Sequence, residues 1–89
     1  MRARDTYTEP LRAFMSADFC TTRKSLGLTQ AQMAERLDID LRSYADLEHG
    51  KNLCSTRVLL MYMLRCKKDR DGFLELAEQV MKEASDHLV

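Results

Sequence analysis

Leu28-Thr29-Gln30-Ala31-Gln32-Met33-Ala34-Glu35-Arg36-Leu37-Asp38-Ile39-Asp40-Leu41-Arg42-Ser43-Tyr44-Ala45-Asp46-Leu47-Glu48-His49-Gly50 reads as two short helices joined by a tight corner. Thr29 offers a hydroxyl cap, and Gln32, three residues on, completes a reciprocal capping box. Met33, Ala34 and Leu37 share one face of the first helix. Leu37-Asp38-Ile39 forms the corner. Asp40 caps the second helix, because a carboxylate accepts backbone N–H bonds and suits the positive helix end. Tyr44 and Leu47, one turn apart, form the buried side of that helix. It stops at Gly50, the residue type that takes the left-handed position after a helix.

These residues resemble the helix-turn-helix of the phage-repressor family (lambda repressor and Cro, also called the xenobiotic-response-element family). The matching signs are Gly27-Leu28-Thr29-Gln30, Met33-Ala34-Glu35-Arg36-Leu37, Ile39, Tyr44, Leu47 and Glu48-His49-Gly50-Lys51. They run from near Phe19 to near Leu64. In that motif the second helix enters the major groove and the first crosses the DNA backbone. Carried over by position, the resemblance makes Leu41, Arg42 and Asp46 groove-facing, with Ser43 and Ala45 beside them. Arg42 suits guanine O6 and N7, and Leu41 suits a thymine methyl. Gln30 opens the first helix, where its backbone N–H and side chain suit a phosphate. His49, Lys51 and Asn52 follow the reading helix and suit another. The resemblance also pairs Arg23 with Glu48, a fork-shaped guanidinium against a carboxylate.

The chain departs from the family pattern in three places. Asp38 stands where a corner glycine is frequent. Leu41 and Asp46 stand where Gln, Ser, Thr or Lys are common. Asp40 and Glu48 add to the acidity of the reading helix, Asp40 as a cap and Glu48 as the partner of Arg23.

Formal charges cancel over the 89 residues, so net charge gives no special affinity for phosphates. Their distribution is uneven. The stretch 29–50 is acidic, the stretch 51–70 that follows the reading helix is basic, and the stretch after it is acidic again. The 45% hydrophobic and 31% charged residues suit one globular domain over 1–89. Cys20, Cys54 and Cys66 are far apart and unpaired in spacing, which suits reduced thiols and no zinc site. Met1 to Pro10 is polar, which argues against a signal peptide, and no stretch has the length of a membrane span. A cytoplasmic location follows as the expectation, with no membrane partner.

From the N-terminus, residues 1–7 are expected to be loosely ordered. Thr8-Glu9-Pro10 reads as a helix start with Thr8 as the cap. Leu11, Phe14, Met15, Asp18-Phe19 and Thr22 then keep helical spacing up to Gly27. This helix is longer than the family's, and Phe14 and Met15 need a partner surface. Ser55 caps a fourth helix containing Val58, Leu59, Leu60, Met61, Met63 and Leu64. That helix is apolar nearly all round and is expected at the centre of the core or in a subunit interface. Cys66 to Arg70 closes it, Asp71-Gly72 turns the chain, and a last helix follows over about 71–88. Its stripe is Phe73, Leu74, Ala77, Val80, Met81, Ala84 and Leu88. The expected fold is all-α, a five-helix lambda-repressor-like domain with an extended first helix and an additional C-terminal helix.

Little in the sequence suits catalysis. His49 and His87 lie on different elements, and no nucleophile triad, acid pair, metal-ligand set or phosphate loop is present. No enzyme activity, cofactor, metal or small-molecule ligand is expected. The expected function is a sequence-specific DNA-binding transcriptional regulator, a repressor-type dimer that reads duplex DNA with residues 41–49. The alternative is a non-enzymatic protein-interaction module that keeps the fold, such as an antitoxin-like or regulator-binding protein. The homodimer is expected to use the last helix, with Phe14 and Met15 as a second apolar surface.

Overall fold

A computed structural model describes residues 5–86. It contains α1 (Thr8–Ser25), α2 (Gln30–Arg36), α3 (Leu41–Glu48), α4 (Thr56–Arg65) and α5 (Arg70–Asp86), with no strand among the described residues. The readings made for residues 1–4, His87 and Leu88 lie outside the described residues.

Local chemistry sets most of the boundaries. Thr29 Oγ1 accepts from the Gln32 backbone N–H at 3.1 Å, and Gln32 Oε1 accepts from the Thr29 N–H at 2.8 Å. Asp40 accepts from the Ser43 N–H at 3.1 Å and from its hydroxyl at 2.6 Å. These bonds hold the Asp40 carboxyl below its ordinary pKa, the Ser43 side chain contributing most. Ser55 accepts from the Val58 N–H at 3.2 Å and starts α4.

Two helix starts differ from the sequence reading. Thr8 does not cap α1. The N-cap position is Tyr7, which makes no side-chain cap bond, and Asp5 just before it accepts from the Thr8 N–H at 3.0 Å and the Thr8 hydroxyl at 2.6 Å. Thr8 lies inside the first turn, and its hydroxyl points back as a donor to the Asp5 carboxylate. Likewise Asp71-Gly72 is not a turn and Arg70 does not close α4. All three lie in the first turn of α5, because Asp69 accepts from the Gly72 N–H at 2.9 Å and starts that helix.

Three helices end alike. After α1, α2 and α3 the chain passes through a left-handed residue, and two backbone bonds close back onto the last turn. At the corner, Asp38 N–H bonds Glu35 O at 3.1 Å and Ile39 N–H bonds Ala34 O at 3.0 Å. Gly27 and Gly50 occupy the equivalent positions at φ 69° and 71°, but the corner residue is Asp38, at φ 57°. A side chain there costs energy that glycine does not. Arginines of the basic segment brace this corner. Arg57 donates to Asp38 O at 3.1 Å and Arg65 donates to Arg36 O at 3.0 Å. Arg65 satisfies the last carbonyl of α2, Arg57 that of the corner, and together they set positive charge at the negative end of the helix.

Phe19 is the hub of the core. It is fully buried, and its ring meets Tyr44 edge-on at 6.0 Å and Tyr62 at 4.5 Å. Met33, Leu37, Tyr44 and Tyr62 are fully buried in the same cluster. Tyr62 is therefore the central residue of α4, although it did not figure in the sequence-derived stripe. Of the two expectations for α4, full burial at the centre of the core is not met within the chain. The helix buries Val58 and Tyr62, while Leu60 and Leu64 face outward at 54% and 67% exposure.

The long first helix and the last helix cover each other. Phe14 and Phe73 stack with centroids 5.6 Å apart, Met15 and Ala84 are buried, and the Tyr7 hydroxyl lies 2.6 Å from Ser85 Oγ. Phe14, Met15 and Phe73 are thus interior to the chain and do not form a free pairing surface. Within the α5 stripe, Ala77 and Val80 are half-buried, whereas Leu74 and Met81 are exposed.

Candidate nucleic-acid interface

The presentation of α3 depends on what anchors its far end. Arg23, near the end of α1, donates through Nε to Glu48 Oε2 at 2.6 Å and through Nη2 to Glu48 Oε1 at 3.2 Å. Its Nη1 donates to Leu28 O at 2.9 Å, which ties the loop before α2 to the same guanidinium. Gln30 donates to Glu48 Oε1 at 3.2 Å, and the Tyr44 hydroxyl donates to Glu48 Oε2. One carboxylate therefore joins α1, α2 and α3.

Burial alone pushes the Glu48 carboxyl up. Hydrogen bonds from Arg23, Tyr44 and Gln30 outweigh it, and its pKa lies below the ordinary value. Burial first, and then the adjacent carboxylate, push the Tyr44 hydroxyl far above its usual pKa, so it stays a donor. Ser16 adds a bond from its hydroxyl to Glu48 O at 2.5 Å, fixing the last turn of α3 to α1.

With Tyr44 and Leu47 locked inward, the opposite side of α3 faces out. Leu41, Arg42 and Ser43 are exposed together at the start of the helix, with Leu41 at 50%. Ala45 and Asp46 are half-buried. Asp46 Oδ1 lies 3.7 Å from Lys51 Nζ, so the acidic residue of the reading helix has a cation beside it. His49, Lys51 and Asn52 are exposed at the other end of the helix and just beyond it. Gln30 is placed differently from these. Its side-chain amide is half-buried and donates to Glu48, so its backbone N–H is the group left at the start of α2.

A second polar cluster escaped the sequence reading. The Tyr62 hydroxyl is 2.8 Å from Thr22 Oγ1 and 2.5 Å from Asp18 Oδ2, and Lys67 Nζ is 3.3 Å from the same Asp18 oxygen. Lys67 also sits 5.3 Å from the centre of the Phe73 ring. Asp18 and Lys67 had been placed in the sequence only as a helix position and a helix-closing cation. Their separation of 49 residues leaves no local signal of the pair. The basic surplus of 51–70 is accordingly spent in part on structure, by Arg57, Arg65 and Lys67.

A helix anchored from behind, with its first turn bare beside a left-handed corner, defines a DNA-binding helix-turn-helix protein. The helix-turn-helix family matches residues 21–70, and the chain belongs to that family, the lambda-repressor/Cro-like group of DNA-binding regulators. No curated protein and no solved structure matches the chain. The matched span leaves out α1 from Thr8 to Cys20 and nearly all of α5, the two segments that pack on each other. No helix among the described residues is long and apolar enough to cross a membrane.

Proposed function

We propose that the protein is a sequence-specific transcriptional regulator of the repressor type that reads the major groove with α3. The supporting observation is the bare first turn, where Leu41, Arg42 and Ser43 project from a helix whose other face is fixed by Tyr44, Leu47 and Glu48. Arg42 bonds a guanine edge and Leu41 meets a thymine methyl. Ser43, Ala45 and Asp46 complete the groove face. The Gln30 backbone N–H, together with His49, Lys51 and Asn52, holds phosphates on either side. The protein binds and does not catalyse.

It works as an isologous two-fold dimer whose reading helices meet half-sites about one helical turn apart. The exposed leucines of α4 and α5, with Met81, supply the apolar surface for that pairing. Selection from a random duplex pool at two salt concentrations tests the function. Enrichment of a two-fold-symmetric sequence, with steeply salt-dependent affinity, is the expected result. Absence of any salt-dependent duplex binding refutes it. The acidic residues Asp38, Asp40 and Asp46 would then favour a protein-binding role for the same face.

A further inference from the structure

The first half of α1 lies outside the family match, yet it borders the loop that leaves the reading helix. Between them is an open cleft of about 500 Å³. Its floor is made of small residues, Ala13, Ser16, Ala17 and Gly50, so a ligand can approach the backbone closely. Three side chains able to carry positive charge border it, Arg12, His49 and Lys51.

Arg12 is held in place from both sides. Its Nη1 donates to Lys51 O at 3.2 Å, and its Nη2 donates to Glu9 Oε1 at 2.6 Å. The Glu9 side chain is 86% exposed, so that ion pair is a weak surface pair that a stronger anion displaces. Arginine matches a phosphate bidentately where a mobile lysine does not.

We propose that this cleft holds a backbone phosphate of bound duplex DNA, with Arg12 exchanging Glu9 for the phosphate next to Lys51. The extra turns of α1 thus lengthen the DNA contact beyond the helix-turn-helix unit itself. This inference rests on the DNA-binding reading above. Glu9 serves as the resting counter-ion of Arg12, so free protein carries a capped site and bound protein an open one.

Affinity for a random duplex pool at about 50 and about 200 mM salt tests the proposal, because each phosphate contact adds about 0.9 to the salt slope. Arg12→Gln removes the charge and the fork while keeping a polar side chain that suits a helix. It is expected to lower the slope by about 0.9 per protomer, so its relative deficit shrinks about 3.5-fold per protomer across that salt range, or about 12-fold for a dimer. Glu9→Gln is expected to tighten binding at low salt. Thermal melts of both variants monitored by circular dichroism should match wild type. A wild-type slope in Arg12→Gln overturns the proposal while leaving the DNA-binding reading intact. A wild-type chain that binds no duplex overturns both.

Discussion

Lys67 Nζ stands 3.3 Å from Asp18 Oδ2, with both side chains less than one-fifth exposed, and the pair shares its carboxylate with the Tyr62 hydroxyl. It fastens the end of α4 to the middle of α1 just where the Phe19 and Tyr62 rings meet. Removing the shared carboxylate leaves the covered Lys67 ammonium without its counter-ion, while the Tyr62 hydroxyl keeps the Asp18 carbonyl and Thr22 Oγ1 as partners. Asp18→Ala is therefore expected to destabilise the fold by about 3 kcal/mol, a larger loss than Lys67→Ala gives, because the latter leaves Asp18 bonded to Tyr62. Urea unfolding of both variants measures the difference, and equal losses would reduce the cluster to a simple pair.

Glu48 makes the acid limb of stability predictable in sign. Its folded pKa is depressed below the ordinary value of 4.5. Its contribution is therefore fully present above that value and is lost as pH falls through the lower, folded one. Glu48→Ala should cost about 3 kcal/mol at neutral pH and less as the solution is acidified. A variant whose deficit stays constant from neutral to acidic pH would show that Arg23 does not hold the carboxylate in its charged form.

The corner offers an opposite case, a substitution that should stabilise. Asp38 adopts φ 57° and makes only a loose contact with Arg57, 3.9 Å from its carboxylate. Asp38→Gly relieves the left-handed penalty and should raise stability by about 0.5–1 kcal/mol, whereas Asp38→Val should lower it. Calorimetric melts check the sign. A destabilised glycine variant would show that the Arg57 contact outweighs the backbone term.

DNA contacts separate by their response to sequence. Arg42→Ala should weaken binding at one base position by about 1–3 kcal/mol and relax preference there. Lys51→Ala should weaken binding to all duplexes and lower the salt slope by about 1. Asp46→Asn releases Lys51 and removes a negative charge from the groove face, so it should tighten binding. Quantitative footprinting on a selected site resolves the three. Equal losses on selected and random DNA from Arg42→Ala would move Arg42 to the backbone.

Assembly is read from sedimentation. A dimer at micromolar concentration is expected, and Leu64→Glu together with Met81→Glu should dissociate it with the helical content unchanged. A wild-type monomer that stays monomeric on DNA would remove the two-fold reading.

Residues that act on near neighbours were legible in the sequence. Thr29, Asp40 and Ser55 each bond a backbone N–H three residues ahead, and that reach is visible in a linear string. The helix-turn-helix itself was legible because its caps, corner and closing Gly50 all fall within one short stretch. Asp5 was missed because Thr8 offered a plausible cap of its own. Tyr62 was missed because α4 is rich in apolar residues on every side, so no stripe stands out to mark which turn faces Phe19. At the site, the exposure of Leu41 and Arg42 followed once Tyr44 was assigned inward. The diversion of the Gln30 amide to Glu48 depends on how two helices meet, which no local pattern encodes.

The contact between Tyr7 and Ser85 spans 78 residues, the widest separation of any hydrogen bond among the described residues. Loop-closure entropy grows only with the logarithm of length, so the closure costs little more than a shorter one, but it rests on few buried side chains. Phe73 and Ala84 are the fully covered residues of α5. The expectation is that the helix acts as a clasp, opening at less cost than the packing of Phe19, Tyr44 and Leu37. In native-state hydrogen exchange the amides of α5 and the opening turns of α1 should share one level of protection, below that of α2 and α3. The start of α1 and the whole of α5 would then report on each other, loosening and tightening as a single cooperative unit.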